Sequence, residues 1–449
     1  MSEDPYDAGD DESSQRLITR TYYIMTALNV FGVTVVVSIN TLFMIDRGLS
    51  TVEWNLANAA YSAGMVLFEI PTGVVADTVG RRASYLLSVV ILFFGTLGML
   101  FFGHDLLTFA AFNLLMGLGY TFASGALEAW VVDALRHHGF KGELSRIFSR
   151  NGMIAAILTL VATTLGAFLG SWHLEYPYIL RAAILVPLFY FVLRHMFDDG
   201  YQPRPLTLRT VLPEMNRTAR NGFRAGLGNA PIRLLMLAAV FPGAFFLFGW
   251  YSWQPYFVQD LGTITFGEEL VWLAGVISAV LMLATTAGNA LVPRISRWAR
   301  RPSRVVAFST LTGAIAVLVG GAVPAFVLPD SPASFGIALA AFWTTMLMFG
   351  ISSPVRQGLI NDLIHADERA TVLSVDSLVS NLGTTVGVVA LGWYAQHVTD
   401  EGGLGIGNAW AIGAVLVAIA VPLLLMVGRA AGKQDCFTPD EDQTATEAA

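Results

Sequence analysis

Cysteine is almost missing: Cys436 is the only one in 449 residues. No intrachain disulfide can form and no cysteine-based metal site can be assembled, so neither a metal nor a redox cofactor is expected. Lysine is nearly as scarce, since Lys141 and Lys433 are the only lysines among 26 basic residues. Charge of either sign makes up 13% of the chain, against about a quarter in a soluble domain. No G-x-x-x-x-G-K-[ST] run is present, which removes a built-in ATP motor. The histidines (104, 137, 138, 173, 195, 365 and 397) form neither an H-x-x-x-D nor an H-E-x-x-H arrangement. A membrane-embedded transferase or zinc protease would therefore lack its catalytic groups. The glycines of "GLGYTFASG" (117–125) follow no strand, which argues against a nucleotide fold. A net charge of −7 with scattered basic residues argues against a nucleic-acid partner. No enzyme activity and no cofactor are expected.

What the chain has in abundance is apolar length. It is 55% hydrophobic with a mean hydropathy of +0.60, and a bilayer-spanning helix needs about 20 mostly apolar residues. Twelve such segments can be read: 21–45, 54–76, 83–103, 107–134, 151–171, 176–195, 232–258, 270–292, 305–327, 334–362, 371–396 and 407–428. The expected fold class is an all-α membrane protein of 12 helices, and the lipid bilayer is its first partner. With both termini inside, 23 of the 26 basic residues fall in cytoplasmic loops and only Arg47, Arg181 and Arg356 do not. That bias orients the chain in a cell (cytoplasmic) membrane.

The interval 196–231, with Pro203, Pro205, Pro213 and several arginines, reads as a cytoplasmic linker between a bundle at 16–195 and a second at 232–430. The acidic stretches 1–15 and 431–449 read as disordered tails, and the first is unlike a cleaved signal peptide. "SGALEAWVVDAL" (124–135) and "SSPVRQGLINDL" (353–364) share Ser at the start and Asp ten positions in, while "ELSRIFSRN" (143–151) runs beside "ERATVLSVD" (368–376). These matches favour internal duplication, the usual build of a secondary transporter with a central site between repeats.

One polar stretch interrupts the apolar run between segments two and three: "GVVADTVGRR", Gly73 to Arg82. The pattern G-x-x-x-D-x-x-G-R-R in a chain split six and six resembles the major facilitator superfamily. It rests on Gly73, Asp77, Gly80, Arg81 and Arg82, with the topology extending the likeness over about 16–430. "FEIPTG" before it and "SGALEAWVVD" look like the twelve-helix multidrug-efflux-like branch. Asn113 stands where that branch often carries Arg in helix 4. "ATTLGAFLGS" (162–171) keeps Gly166 and Gly170 of the helix-5 antiporter signature but has Ala167 in place of Pro. "GNALVPRISR" (288–297) reads as the second-half counterpart of the opening motif without its acid.

Two glycines permit a tight turn and close helix approach, and Asp77 precedes Arg81 by four residues. The resemblance adds Asp133, giving a charge cluster of Asp77, Arg81 and Asp133 that latches the inner side. The alternative is that Arg81 and Arg82 only anchor lipid headgroups.

Ionisable groups inside spanning helices are costly and usually face a cavity or a partner. Glu69, Glu128, Arg356 and Asp376 qualify, with Asp376 near the interface, and Glu69 lies roughly 12 Å up the helix from Asp77. Glu69 or Glu128 could carry a coupling proton or bind a cationic substrate. Either acid could instead be locked in an ion pair with Arg356 or Arg181. Asn29, Asn58, Tyr61, Asn113, Trp130, Trp250, Trp253, Gln254 and Asn381 are candidate cavity residues.

The reading is a monomeric secondary transporter moving a small organic solute by alternating access, most simply proton-coupled efflux of amphipathic or cationic compounds. Asn113 and Ala167 keep a metabolite importer or uniporter open. A sensor that moves nothing would be expected to carry long signalling domains, and only short tails are present.

Overall fold

The computed structural model describes residues 11–142, 144–199, 228–266, 269–329, 331–364 and 369–435. Among these every regular element is helical. In chain order they are α1 Asp11–Thr34, α2 Asn40–Asp46, α3 Thr51–Val79, α4 Arg81–Phe102, α5 Leu106–His137, α6 Leu144–Gly170 and α7 Tyr176–His195. They continue with α8 Ala230–Pro255, α9 Leu261–Phe266, α10 Trp272–Trp298, α11 Pro302–Ala322, α12 Ala333–Leu363, α13 Arg369–Asp400 and α14 Gly405–Ala431. Among the described residues nine helical stretches are long and apolar enough to cross a membrane. The chain folds as two compact units. One holds Met1–Leu212 with Phe257–Gln259 and Glu268–Ala279, and the other holds Pro213–Tyr256, Asp260–Gly267 and Val280–Ala449.

Local chemistry sets the helix ends. The Ser50 N–H donates to Glu53 at 2.9 Å ahead of α3, and Asp105 accepts from Thr108 N at 2.8 Å ahead of α5. Pro177, Pro231 and Pro302 open α7, α8 and α11, where a missing N–H costs nothing. The tails differ from the expectation at their inner ends. Helix α1 begins at Asp11, its first turn carrying Asp11 and Glu12 as the helix dipole favours. After α14 a short turn, Gly432–Gln434, leads to a fully buried Asp435. Residues 1–10, 200–227 and 436–449 lie outside the described set, and with them most of the expected linker and tails.

The first apolar segment is not one helix. It unwinds at 35–39, within and just beyond the β-branched run from Val33 to Val37. Ser38 Oγ donates to Thr163 O at 2.8 Å, and a Cβ at Gly166 would fall on Val35 O. Helix α6 therefore rests directly on the unwound turn, with Gly170 one turn on facing Ile39. The second unit repeats this crossing: Gly383 and Gly387 of α13 lie against the backbone of Val240 and Ala244 in α8. Small residues four apart let helix backbones approach where no apolar gradient drives them together.

A second crossing is also duplicated. In the first unit Gly64 of α3 would meet Leu114 O at 2.6 Å, and Gly117 of α5 faces Tyr61 O. In the second, Gly288 of α10 faces Leu347 O and Gly350 of α12 faces Thr285 O. By packing, the counterpart of Gly288 is Gly64 and not Gly73, so the sequence pairing of "GNALVPRISR" with the opening motif is shifted. Backbone contact selects the matching glycine, and a motif comparison cannot see it.

Candidate functional site

The corner between α3 and α4 carries the opening motif. Gly80 makes the turn with φ +122°, a conformation that disfavours side chains, and a Cβ there would fall on the Asp198 carboxylate. Asp198 lies beyond the end of α7 and its Oδ1 accepts the Arg82 N–H at 2.9 Å, capping α4. Burial raises the Asp198 pKa above the usual carboxylate value, while hydrogen bonds from, and the charges of, Arg82 and Arg81 oppose that rise. The Arg82 guanidinium donates to Leu193 O and lies 5.1 Å above the Phe197 ring. Trp130 Nε1 donates to Phe197 O at 2.6 Å, and His138 Nε2 sits 3.7 Å from Asp199. Residues 196–199 are thus strapped across the ends of α4 and α5.

Several expected roles change here. Gly73 sits inside α3, exposed, with nothing within 4 Å of a built Cβ, so it makes neither turn nor close approach. Arg82 is held by protein groups and is not simply a headgroup anchor. Trp130 is 1% exposed and serves the strap, not a cavity. Arg81 Nε lies 3.9 Å from Asp133 Oδ2, consistent with two of the three cluster members, while the Asp77 side chain is outside the described set. Asp198 was not foreseen. In the second unit Asp435 repeats its position, accepting Ser303 N at 2.9 Å and Ser303 Oγ at 2.6 Å at the start of α11. An acid shortly after the sixth and the twelfth segment was the available signal.

The ionisable groups inside the helices sort into three kinds. Arg356 and Asp376 pair with each other at 2.6 Å, and Asp376 is buried within the protein. Arg181 is 5% exposed, and no carboxylate among the described residues lies within ion-pair distance of it. Glu69 and Glu128 are exposed on the protein surface, and their carboxylates make no hydrogen bond or ion pair among the described residues. Glu128 lies within electrostatic reach of Tyr22. Neither acid is locked to Arg356 or Arg181: the first arginine is taken by Asp376, and no carboxylate among the described residues lies within ion-pair distance of the second.

The second unit encloses a cavity of ≈ 440 Å³ between α8, α11, α12, α13 and α14, within the size range of small-molecule sites. Trp250, Asn381 and Arg356 of the expected residues line it. Phe246 stacks on Trp250 with centroids 6.2 Å apart and on Phe349 at 5.5 Å, forming an aromatic wall in a lining that also holds polar groups of α12 and α13. Trp253 and Gln254 are buried and do not line this cavity.

In the first unit Asn58 and Asn113 are buried, each with an Nδ2 that lacks an acceptor. Tyr61 is half-buried, 6.4 Å edge-on from Tyr120, and Asn29 is half-buried.

A sequence model described as the Major Facilitator Superfamily matches residues 22–387. The "Uncharacterized MFS-type transporter YxaM" of Bacillus subtilis (strain 168) is 21% identical over 415 residues, covering 90% of this chain and 93% of that protein. The crystal structure of the nucleoside transporter NupG superposes with a TM-score of 0.75 at 13% identity, over 91% of this chain and 98% of the other. A bacterial homolog of the human lysosomal transporter Spinster superposes with a TM-score of 0.65 at 16% identity, over 98% and 100%.

Proposed function

The chain belongs to the Major Facilitator Superfamily, and from that premise we propose that it is a monomeric twelve-helix secondary transporter of the efflux type. In this reading it exports a small amphipathic solute from the cytoplasm in exchange for protons, with both termini inside. The observation that carries the coupling is that Glu69 and Glu128 have no ion-pair partner among the described residues, although they sit in helices. A carboxyl group there gains and loses its proton as its hydration changes. The aromatic cavity of the second unit supplies the apolar part of a solute site. Asp77, Arg81 and Asp133 serve as an inner latch.

The test is transport in proteoliposomes with an imposed pH gradient and with the gradient collapsed by an ionophore. Coupled efflux requires flux to fall on collapse. A second reading, import or uniport of a metabolite, is favoured by Asn113 and Ala167, where the branch signature is broken. It requires flux to persist on collapse.

A further inference from the structure

We propose that Arg181, with Asn58 as a second donor, forms an oxyanion subsite in the first unit that receives a carboxylate or phosphate group of an organic solute. This inference rests on the transporter reading for its purpose and on geometry for its chemistry.

Two helices carry matched spacing here. Asn58 and Tyr61 stand three apart on α3, and Tyr178 and Arg181 stand three apart on α7, so each pair shares a helix face. A hydrogen-bond chain joins them through Asn40 at the start of α2. Tyr178 Oη donates to Asn40 Oδ1 at 2.8 Å, and Asn40 Nδ2 donates to Asn58 Oδ1 at 2.9 Å. In this direction the amide oxygens of Asn40 and Asn58 are both used. What remains at its end is a donor, Asn58 Nδ2, on a residue 1% exposed.

Arg181 is tied to both helix faces through Tyr61 and Tyr178. The titratable groups within its electrostatic reach are Tyr61 and Tyr178, which are neutral phenols. The other arginine acting on Tyr178 is Arg47, and its charge is balanced by Glu175 at 3.0 Å. The Arg181 charge is balanced by nothing among the described residues. Its Nε is sealed without an acceptor, whereas its terminal nitrogens, equally without a hydrogen bond, are not sealed. The small exposure that remains therefore sits where a ligand oxygen would approach. Asn113 Nδ2, one turn before the Gly117 that packs on Tyr61, is a further buried donor without an acceptor.

A buried cation without a partner is strongly unfavourable. The unsatisfied atoms of Arg181, Asn58 and Asn113 are donors, with one formal positive charge among them, while the buried Asn55 Oδ1 three residues before Asn58 is an acceptor; the planar guanidinium suits two oxygens of a single group. The chemistry that satisfies this set is an oxyanion. An amine, or a neutral solute with donors only, would leave it as it is.

The experiment is thermal unfolding of the full chain, purified in detergent, titrated at constant ionic strength with benzoate, phenyl phosphate, benzyl alcohol, benzylamine and chloride. Benzoate or phenyl phosphate is expected to raise Tm while the other three leave it unchanged. In Arg181→Gln the half-saturating concentration should rise about tenfold or more, and Arg181→Lys, which keeps the charge, should fall between. Equal stabilisation by benzyl alcohol or by chloride, no stabilisation by either oxyanion, or an unaltered response in Arg181→Gln would each overturn the proposal. If Arg181→Gln does not fold, an unaltered response in Arg181→Lys together with Asn58→Leu overturns it equally. Binding is read without flux or protons, so loss of proton coupling leaves this result standing, and the reverse also holds.

Discussion

Asp198 Oδ1 accepts the backbone N–H of Arg82 at 2.9 Å, joining the end of α7 to the first turn of α4. The same geometry recurs between Asp435 and Ser303 at 2.9 Å. The opening motif thus does its most direct structural work within its own bundle, by holding a helix start against a carboxylate supplied from far along the chain.

Removing either carboxylate should therefore cost a helix cap. Asp198→Ala and Asp435→Ala are each expected to lower stability by about 1–2 kcal/mol, and Asp198→Asn, which still caps, by much less. Thermal unfolding in detergent measures both. Equal losses for Asn and Ala at 198 would contradict the capping role.

Asp198 also has a pH signature. Its folded pKa is raised by burial above the ordinary 3.8, so the folded state holds this proton more tightly than the unfolded one. The resulting stability is complete below 3.8 and is lost as pH rises through the folded pKa. The wild type should lose this increment on going from acid toward neutral pH, and Asp198→Asn should not. The readout is Tm against pH for the two proteins, and parallel curves would refute the shift.

The two motif glycines should respond in opposite ways. Gly80→Ala places a Cβ at φ +122° and against the Asp198 carboxylate, costing about 1–3 kcal/mol. Gly73→Ala adds a methyl in open space inside a helix and should stabilise by about 0.5–1 kcal/mol. Equilibrium unfolding of both variants decides, and a stabilised Gly80→Ala would be incompatible with the turn.

Arg356 and Asp376 should behave as one unit. Breaking the largely buried pair at one end, as in Arg356→Gln, is expected to cost about 3 kcal/mol. The double variant with Asp376→Asn should be less unstable than the sum of the singles, because no charge is left alone. Additive losses in a double-mutant cycle would show the pair to be incidental.

Much of the fold was legible because the bilayer imposes a coarse rule, about 20 apolar residues per crossing. The predicted segments lie largely on helices for that reason, and nine helical stretches among the described residues have the length and hydropathy of a crossing. Arginine and glycine at 80–82 were legible as a motif. The partners were not, since Asp198 and Asp435 sit in stretches whose composition reads as linker and tail, and they act through contacts between distant parts of the chain. Pairing of Arg356 with Asp376 was missed in favour of Glu69 or Glu128 because charge patterning carries no information on which helices touch. Unwinding at 35–39 was hidden inside an unbroken apolar run. The cavity wall of Phe246 and Phe349 escaped notice because phenylalanine is abundant throughout and only stacking marks these two.

The central claim, proton exchange at an unpaired carboxylate, is tested most directly by proton release. Proteoliposomes holding the wild type, Glu69→Gln or Glu128→Gln receive a solute that stabilises the purified chain, and a pH-sensitive dye follows the medium. The wild type should release protons on solute addition and at least one glutamine variant should not. Unchanged release in both variants would contradict the account.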